Sequence, residues 1–207
     1  MEATVLNGQL ELGNAVATQD EGRMVIGQLP IGSPTVTGGQ LSVGNVDVGG
    51  IAYSSLGTNT TDIAGQWWIT DILVPLNRVL TNISVMAGGT ATTDNIMVAI
   101  WDAKGNLLAS SAIAGQVLSG ANTFQVVPLA LNAAAAAATT LQLYGPQQYY
   151  VGVQGNGTAA GAIQTIPASS WNNVCCGSVA GTFGTVPKTI TLPATFTAAK
   201  GPIVALT

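Results

Sequence analysis

The sequence predicts an all-β protein: a jelly-roll-type β-sandwich over residues 51–207, preceded by an extended N-terminal arm with short β segments over residues 1–50. Three observations predict it. Turn-forming Gly, Pro, Asn and Asp recur at intervals of about 8 to 15 residues from Ile51 onward. The stretches between them are apolar on alternate faces or on both. A phrase bounded by glycines recurs three times before residue 50. The chain has 207 residues, and a domain of roughly 150 buries about two-thirds of its extended-chain surface, so one autonomous core with an appendage is the expected organisation.

The recurring phrase is Gly8-Gln9-Leu10-Glu11-Leu12-Gly13, then Gly27-Gln28-Leu29-Pro30-Ile31-Gly32, then Gly39-Gln40-Leu41-Ser42-Val43-Gly44; the first and third copies also share the following Asn, Asn14 and Asn45. Two apolar residues separated by one other, with Gly at both ends, describe a strand of about four residues between turns. Each is too short to bury its own face. Leu10, Leu12, Leu29, Ile31, Leu41 and Val43 are therefore candidate partner-interface residues, paired along sister chains or a partner surface. The alternative is that these are simply the first strands of one larger sandwich.

In the domain, residues 67–74 read as a strand stopped by Pro75, which cannot donate to a ladder. Residues 79–87 follow and end at Gly88-Gly89. Residues 95–101 place Ile96, Val98 and Ile100 on one face and Met97, Ala99 and Trp101 on the other, so both faces should be buried. Asp102-Ala103-Lys104-Gly105-Asn106 is a tight turn, with Asp opening it and Gly taking the positive-φ position before residues 107–114 return. Residues 123–131, 140–144, 148–154, 162–166 and 203–206 supply further strands, and the alanines 133–138 favour a short helix. A count of about eight short strands with irregular loops favours the sandwich.

Composition excludes several functions. Five Lys and Arg against nine Asp and Glu leave no basic stripe for nucleic acid and no polybasic membrane anchor. No apolar run approaches the roughly 20 residues that span a bilayer, and the acidic start at Glu2 with no apolar run behind it does not predict a signal peptide. The chain has no histidine, which removes the commonest general base and metal ligand. Charged residues are 7% of the chain, against about 25% in ordinary domains. So neutral a surface predicts that much of it faces other protein; a monomer merely rich in Ala, Gly and Thr is the alternative.

Site by site, enzymology finds little. The acids available for a glycosidase pair are Asp62, Asp71, Asp94 and Asp102; Asp94 and Asp102 read as turn residues and Asp71 as an ion-pair partner of Arg78. Calcium lacks a dense Asp-x-Asp loop. The adjacent Cys175 and Cys176 read as small structural side chains, with a redox or interchain role as the alternative. Asn59, Asn82 and Asn156 match the glycosylation pattern by coincidence of composition. No catalytic residue, cofactor or metal is expected. Trp67 and Trp68 are consecutive in a strand and point to opposite faces, so one is a candidate exposed aromatic, for a subunit interface or a glycan, unless both faces are covered.

Residues 67–77 (Trp67-Trp68-Ile69-Thr70-Asp71 through Pro75-Leu76-Asn77), 98–109 around Trp101-Asp102-Ala103-Lys104-Gly105-Asn106, 145–157 around Tyr149-Tyr150-Val151-Gly152-Val153, and the ending from Gly181-Thr182-Phe183-Gly184 to Gly201-Pro202-Ile203-Val204 carry a resemblance. Over about residues 60–207 the chain resembles head decoration or cement proteins of tailed bacteriophages. The resemblance implies a fold and a setting but no catalytic residue. It leads to the expectation of a non-enzymatic virion structural protein on the capsid surface, assembled in the host cytoplasm. Its partners would be the major capsid protein and sister subunits in a homotrimer, with no nucleic acid and no membrane. The alternative is a carbohydrate- or receptor-binding module of a tail fibre or spike.

Overall fold

A computed structural model describes the backbone of residues 4–6, 9–12, 15–20, 23–25, 35–37, 40–43, 46–52 and 131–132, and backbone with side chains for residues 57–61, 64–120, 122–130, 139–157, 161–167 and 174–207. Two compact units divide the chain, Met1–Ala52 and Tyr53–Thr207.

In the first unit, β1 (Thr4–Leu6), β2 (Gln9–Leu12), β3 (Ala15–Asp20) and β4 (Arg23–Val25) form an antiparallel sheet in chain order. β5 (Thr35–Thr37), β6 (Gln40–Val43) and β7 (Val46–Ala52) form a second. The first and third copies of the repeat become β2 and β6, each starting directly after its leading glycine and stopping before its closing one. Sequence reasoning looked for their pairing partners outside the segment. The structure supplies the first ones inside it: β2 pairs antiparallel with β1 on one side and with β3 on the other, each its neighbour along the chain. Leu10 and Leu12 lie on β2, and Leu41 and Val43 on β6. Leu29 and Ile31, in the second copy, lie outside the described residues.

The second unit is all-β, with every named strand pair antiparallel and no helix among the described residues. The alanine tract 133–138 lies outside them. The strands are β8 (Thr58–Thr61), β9 (Gln66–Val74), β10 (Arg78–Leu80), β11 (Asn82–Met86), β12 (Asn95–Trp101), β13 (Leu107–Ser111), β14 (Gln116–Val117), β15 (Phe124–Asn132), β16 (Leu141–Leu143), β17 (Gln147–Gly155), β18 (Ala162–Thr165), β19 (Cys176–Ala180) and β20 (Val204–Leu206). Eight run in one sheet in the order β19-β9-β17-β12-β13-β15-β11-β20, with β14 added to β12; β10 pairs β16 and β8 pairs β18.

Ile96, Val98 and Ile100 of β12 share one hydrophobic cluster with Val127 and Leu129 of β15 and Ile83 and Val85 of β11, although β13 separates them along the sheet. Register shifts at Ile100/Trp101 and at Ser110/Ser111 flank β13 on both sides. Such irregularities bend a strand and sharpen its twist.

The stretch 79–87, expected as one strand, is two. Thr81 and Asn82 both donate their amides to the Thr207 carbonyl, at 3.0 and 2.8 Å. This break hands the chain from the β10–β16 pair to the main sheet. The turn after β12 forms as the sequence predicts. Asp102 Oδ1 accepts the amides of Lys104 and Asn106, each at 2.8 Å, and Gly105 takes a φ of +82°.

Candidate interaction surface

The outer face of the β9–β17–β12 layer decides where the two candidate tryptophans go. Trp67 is 0% and Trp68 1% exposed, so the reading of either as an exposed aromatic is corrected. Alternation does send them to opposite faces, but both faces are covered. Trp68 enters the large cluster between the layers. Trp67 enters a second cluster with Ile69, Met97, Ala99, Trp101 and Tyr150, roofed by Phe183, Val186, Ile190 and Leu192.

The roof comes from residues 183–192, a stretch with no strand pattern in sequence. Trp67 and Trp101 meet edge to face, 5.5 Å apart at 87°, a favoured arrangement of two ring quadrupoles. Gly152 lies beneath them: a Cβ there would stand 2.7 Å from Trp101 Cζ3 and 3.2 Å from Trp67 Cε3. Trp101 Nε1 donates to the Pro187 carbonyl at 3.0 Å, fixing ring and roof together. Lys200 Nζ stands 5.0 Å from the Trp68 ring centre.

The acids take local roles. Asp102 Oδ2 accepts from Asn106 Nδ2 at 3.0 Å. Asp94 is fully buried, and its carboxylate accepts the Gly161 amide. Both were read as turn residues, but the burial of Asp94 was not legible. The two bracket β12, and eight residues at about 3.3 Å each put them roughly 26 Å apart along the strand, beyond the ~5–9.5 Å of a glycosidase pair. The expected ion pair of Asp71 with Arg78 is replaced. Asp71 Oδ2 accepts from Gln148 Nε2 at 2.7 Å across the β9–β17 ladder, and Arg78 donates to the Leu206 carbonyl at 2.8 Å. Asp62 lies outside the described residues.

Cys175 and Cys176 are free thiols. Cys176 is buried and donates to the Thr197 carbonyl at 3.2 Å. Burial pushes its pKa up, the bond to Thr197 offsets part of this, and the nearby Asp71 and Cys175 add to the rise, so the thiol form is favoured at neutral pH. Burial likewise raises the Tyr150 phenol, with Asp71 and Cys175 adding to it. The Asn59 side-chain carbonyl accepts from Gly89 N and Gln164 Nε2, and that of Asn156 from Asn95 N. These amides hold loops together, a use the glycosylation pattern does not reveal. Among the described residues no group of three or more His, Cys, Asp or Glu could hold a metal ion.

Two surface features were invisible in the sequence. Leu73, Leu76, Val79 and Tyr144 are each more than half exposed. They sit at one end of the domain, where the Gly145 amide bonds Asn77 Oδ1 at 2.9 Å and ties the turn before β17 to the one after β9. The second feature is a groove of about 310 Å3 beside β19, lined by Cys176, Gly177, Ser178 and Val179 on one side and by Leu192, Pro193 and neighbouring threonines on the other. No protein-family model, curated protein or solved structure matches this chain. Its function therefore has to be argued from these surfaces.

Proposed function

We propose that this chain is a non-enzymatic structural protein of a bacteriophage virion, a head decoration or cement protein that stabilises the capsid shell. Its domain would be a jelly-roll-type sandwich, associating as a homotrimer on the major capsid protein, with strands of the arm added to capsid or sister subunits. The observation that carries the reading is the large apolar side chains left on an almost uncharged surface, with Leu73, Leu76, Val79 and Tyr144 gathered at one end. Such a patch is costly in water and gains stability when another protein covers it. The resemblance of residues 67–77, 98–109 and 145–157 to phage decoration proteins supplies the setting.

A shell protein needs area and complementarity rather than a reactive group, and many weak contacts repeated over a lattice add by multivalency. The carbohydrate-binding alternative rested on Trp67 or Trp68, and both rings lie inside the domain. The test is the mass of the full chain in solution together with its stoichiometry in purified particles. Three copies per assembly and a fixed ratio to capsid protein are expected; absence from purified particles would sink the reading. Deleting residues 1–50 should leave the domain folded and the particles undecorated, and full occupancy by the shortened chain would remove the arm's role.

A further inference from the structure

We infer that the outward edge of β19 and the groove beside it receive residues 27–32 from the arm of a second copy as an added strand. The inference rests on the proposed reading of the arm as a strand donor and names the receiving edge. Hydrogen-bond parity defines that edge. Asp71 N donates to Cys175 O at 3.0 Å and Gly181 N to Gly65 O at 2.9 Å, so odd-numbered positions from 175 to 181 turn their amides and carbonyls toward β9. Even-numbered positions turn theirs away.

Cys176 spends its outward groups on the neighbouring segment, its amide on Thr195 O at 3.1 Å and its carbonyl on Thr197 N at 2.9 Å. The same segment then diverges, and the groove opens between it and β19. Ser178 and Ala180 are exposed, and their outward amides and carbonyls have no backbone partner among the described residues. A free edge flanked by a groove is the arrangement that takes an extended segment, with main-chain bonds giving affinity and alternate side chains filling the groove. No charged side chain lines it, so an uncharged guest fits best.

The arm holds one such guest. The first and third copies of the repeat are already middle strands, β2 between β1 and β3 and β6 between β5 and β7, so both their edges are used. The second copy, Gly27-Gln28-Leu29-Pro30-Ile31-Gly32, is uncharged and differs by Pro30. Proline has no amide to donate, which confines it to strands paired on one side. Leu29 and Ile31 flank it and would supply the apolar contacts. Every copy then carries one donor segment and one acceptor edge, so the contact is head-to-tail, and it builds a ring where the rotation between copies closes.

Two differently tagged full-length chains, co-expressed in a Cys175→Ser/Cys176→Ser background, test this. One carries Ile31→Cys and the other Ser178→Cys. After mild oxidation the disulfide between different chains should form at least tenfold above a control pairing Ile31→Cys with Thr139→Cys. No excess over the control, or a link found only within one chain when both changes are placed together, overturns the inference. Amide exchange on the unmodified chain gives a second readout. The outward amides of Ser178 and Ala180 should become at least tenfold slower to exchange as concentration rises through the assembly range, and exchange independent of concentration overturns the inference as well. If the link fails while particle binding still needs the arm, this pairing is wrong and the proposed function survives. If the link forms but particles never carry the protein, the pairing stands and the proposed function falls.

Discussion

The β9–β17–β12 layer is buried on both faces, by different means. On the inner face, strand meets strand: Ile96, Val98 and Ile100 share one buried cluster with Val85, Val127 and Leu129 of β11 and β15. On the outer face, Trp67, Trp101 and Met97 meet a segment without regular strand structure, held by Leu107 N on Lys188 O at 2.8 Å and by Ile190 N on Gly105 O at 3.0 Å. The inner face is closed by the fold itself. The outer one is closed by a strap that, among the described residues, is anchored by backbone bonds to one hairpin and by the indole of Trp101. Apolar alternation in a strand thus reports that a face is covered, and leaves open what covers it.

The largest test removes the strap's ring anchor. Trp101→Ala should cost about 4 kcal/mol, against about 3 kcal/mol for Ile100→Ala one residue away on the inner face. Urea unfolding of the full chain measures both. A loss below about 1 kcal/mol for Trp101→Ala would mean that the strap covers the outer face only loosely. Gly152→Ala comes next. Its methyl would press on Trp101 and Trp67, and overfilling a packed site costs about 1–3 kcal/mol. Most of that cost should vanish when Trp101 is already alanine, and a cycle showing plain additivity would deny that the glycine exists to seat the two rings.

These faces also show how far the sequence could be read. Strand β12 and its two apolar sets were legible to the residue, because period-two alternation is a local property of the chain. The turn at Asp102 was legible for the same reason. Residues 183–192 were not: their Gly, Thr and Pro carry no periodicity, and they earn their place through contacts some 80 residues away in the chain, such as Trp101 to Pro187. The fates of Trp67 and Trp68 therefore could not be settled locally. Asp71 and Arg78, close in sequence, likewise found partners at Gln148 and Leu206, which only the ladder brings near. The outward positions Ser178 and Ala180 of β19, which lack a backbone partner among the described residues, were hidden too, since hydrogen-bond parity leaves no mark on composition.

A smaller effect probes a polar defect in the outer face. Gln154 on β17 is fully buried, and among the described residues neither atom of its amide has a hydrogen-bond partner; Trp67 Nε1 nearby has none there either. An unpaired buried amide costs about 1–3 kcal/mol. Gln154→Met, of similar length and shape, should leave stability unchanged or raise it by about 1 kcal/mol, with no matching gain from Val153→Met on the inner face, which would be overfilled. A clear loss in thermal unfolding of Gln154→Met would show that the amide is held by a bound group in solution.

The smallest effect concerns the hairpin to which the strap is tied. Thr189 bridges Asn106, and Ile190 bonds Gly105, so the Asp102 turn holds the outer cover without touching the inner face. Burial alone would raise the Asp102 pKa, but bonds from the Asn106 side chain and backbone, the Lys104 amide and the Lys104 charge outweigh it and leave it below the ordinary aspartate value. The folded state therefore prefers the ionised carboxylate. Its stabilisation is complete above the ordinary aspartate pKa and disappears as pH falls through the lowered folded value. Asp102→Ala should cost about 1 kcal/mol at pH 7, and its gap from the unmodified chain should close in acid. Amide exchange should show the loss at pH 7 concentrated in residues 186–192 while β11 and β15 keep their protection. A gap of constant size down to pH 2 would mean that the charge on Asp102 does not hold the turn, and that the strap depends on Gly105 alone.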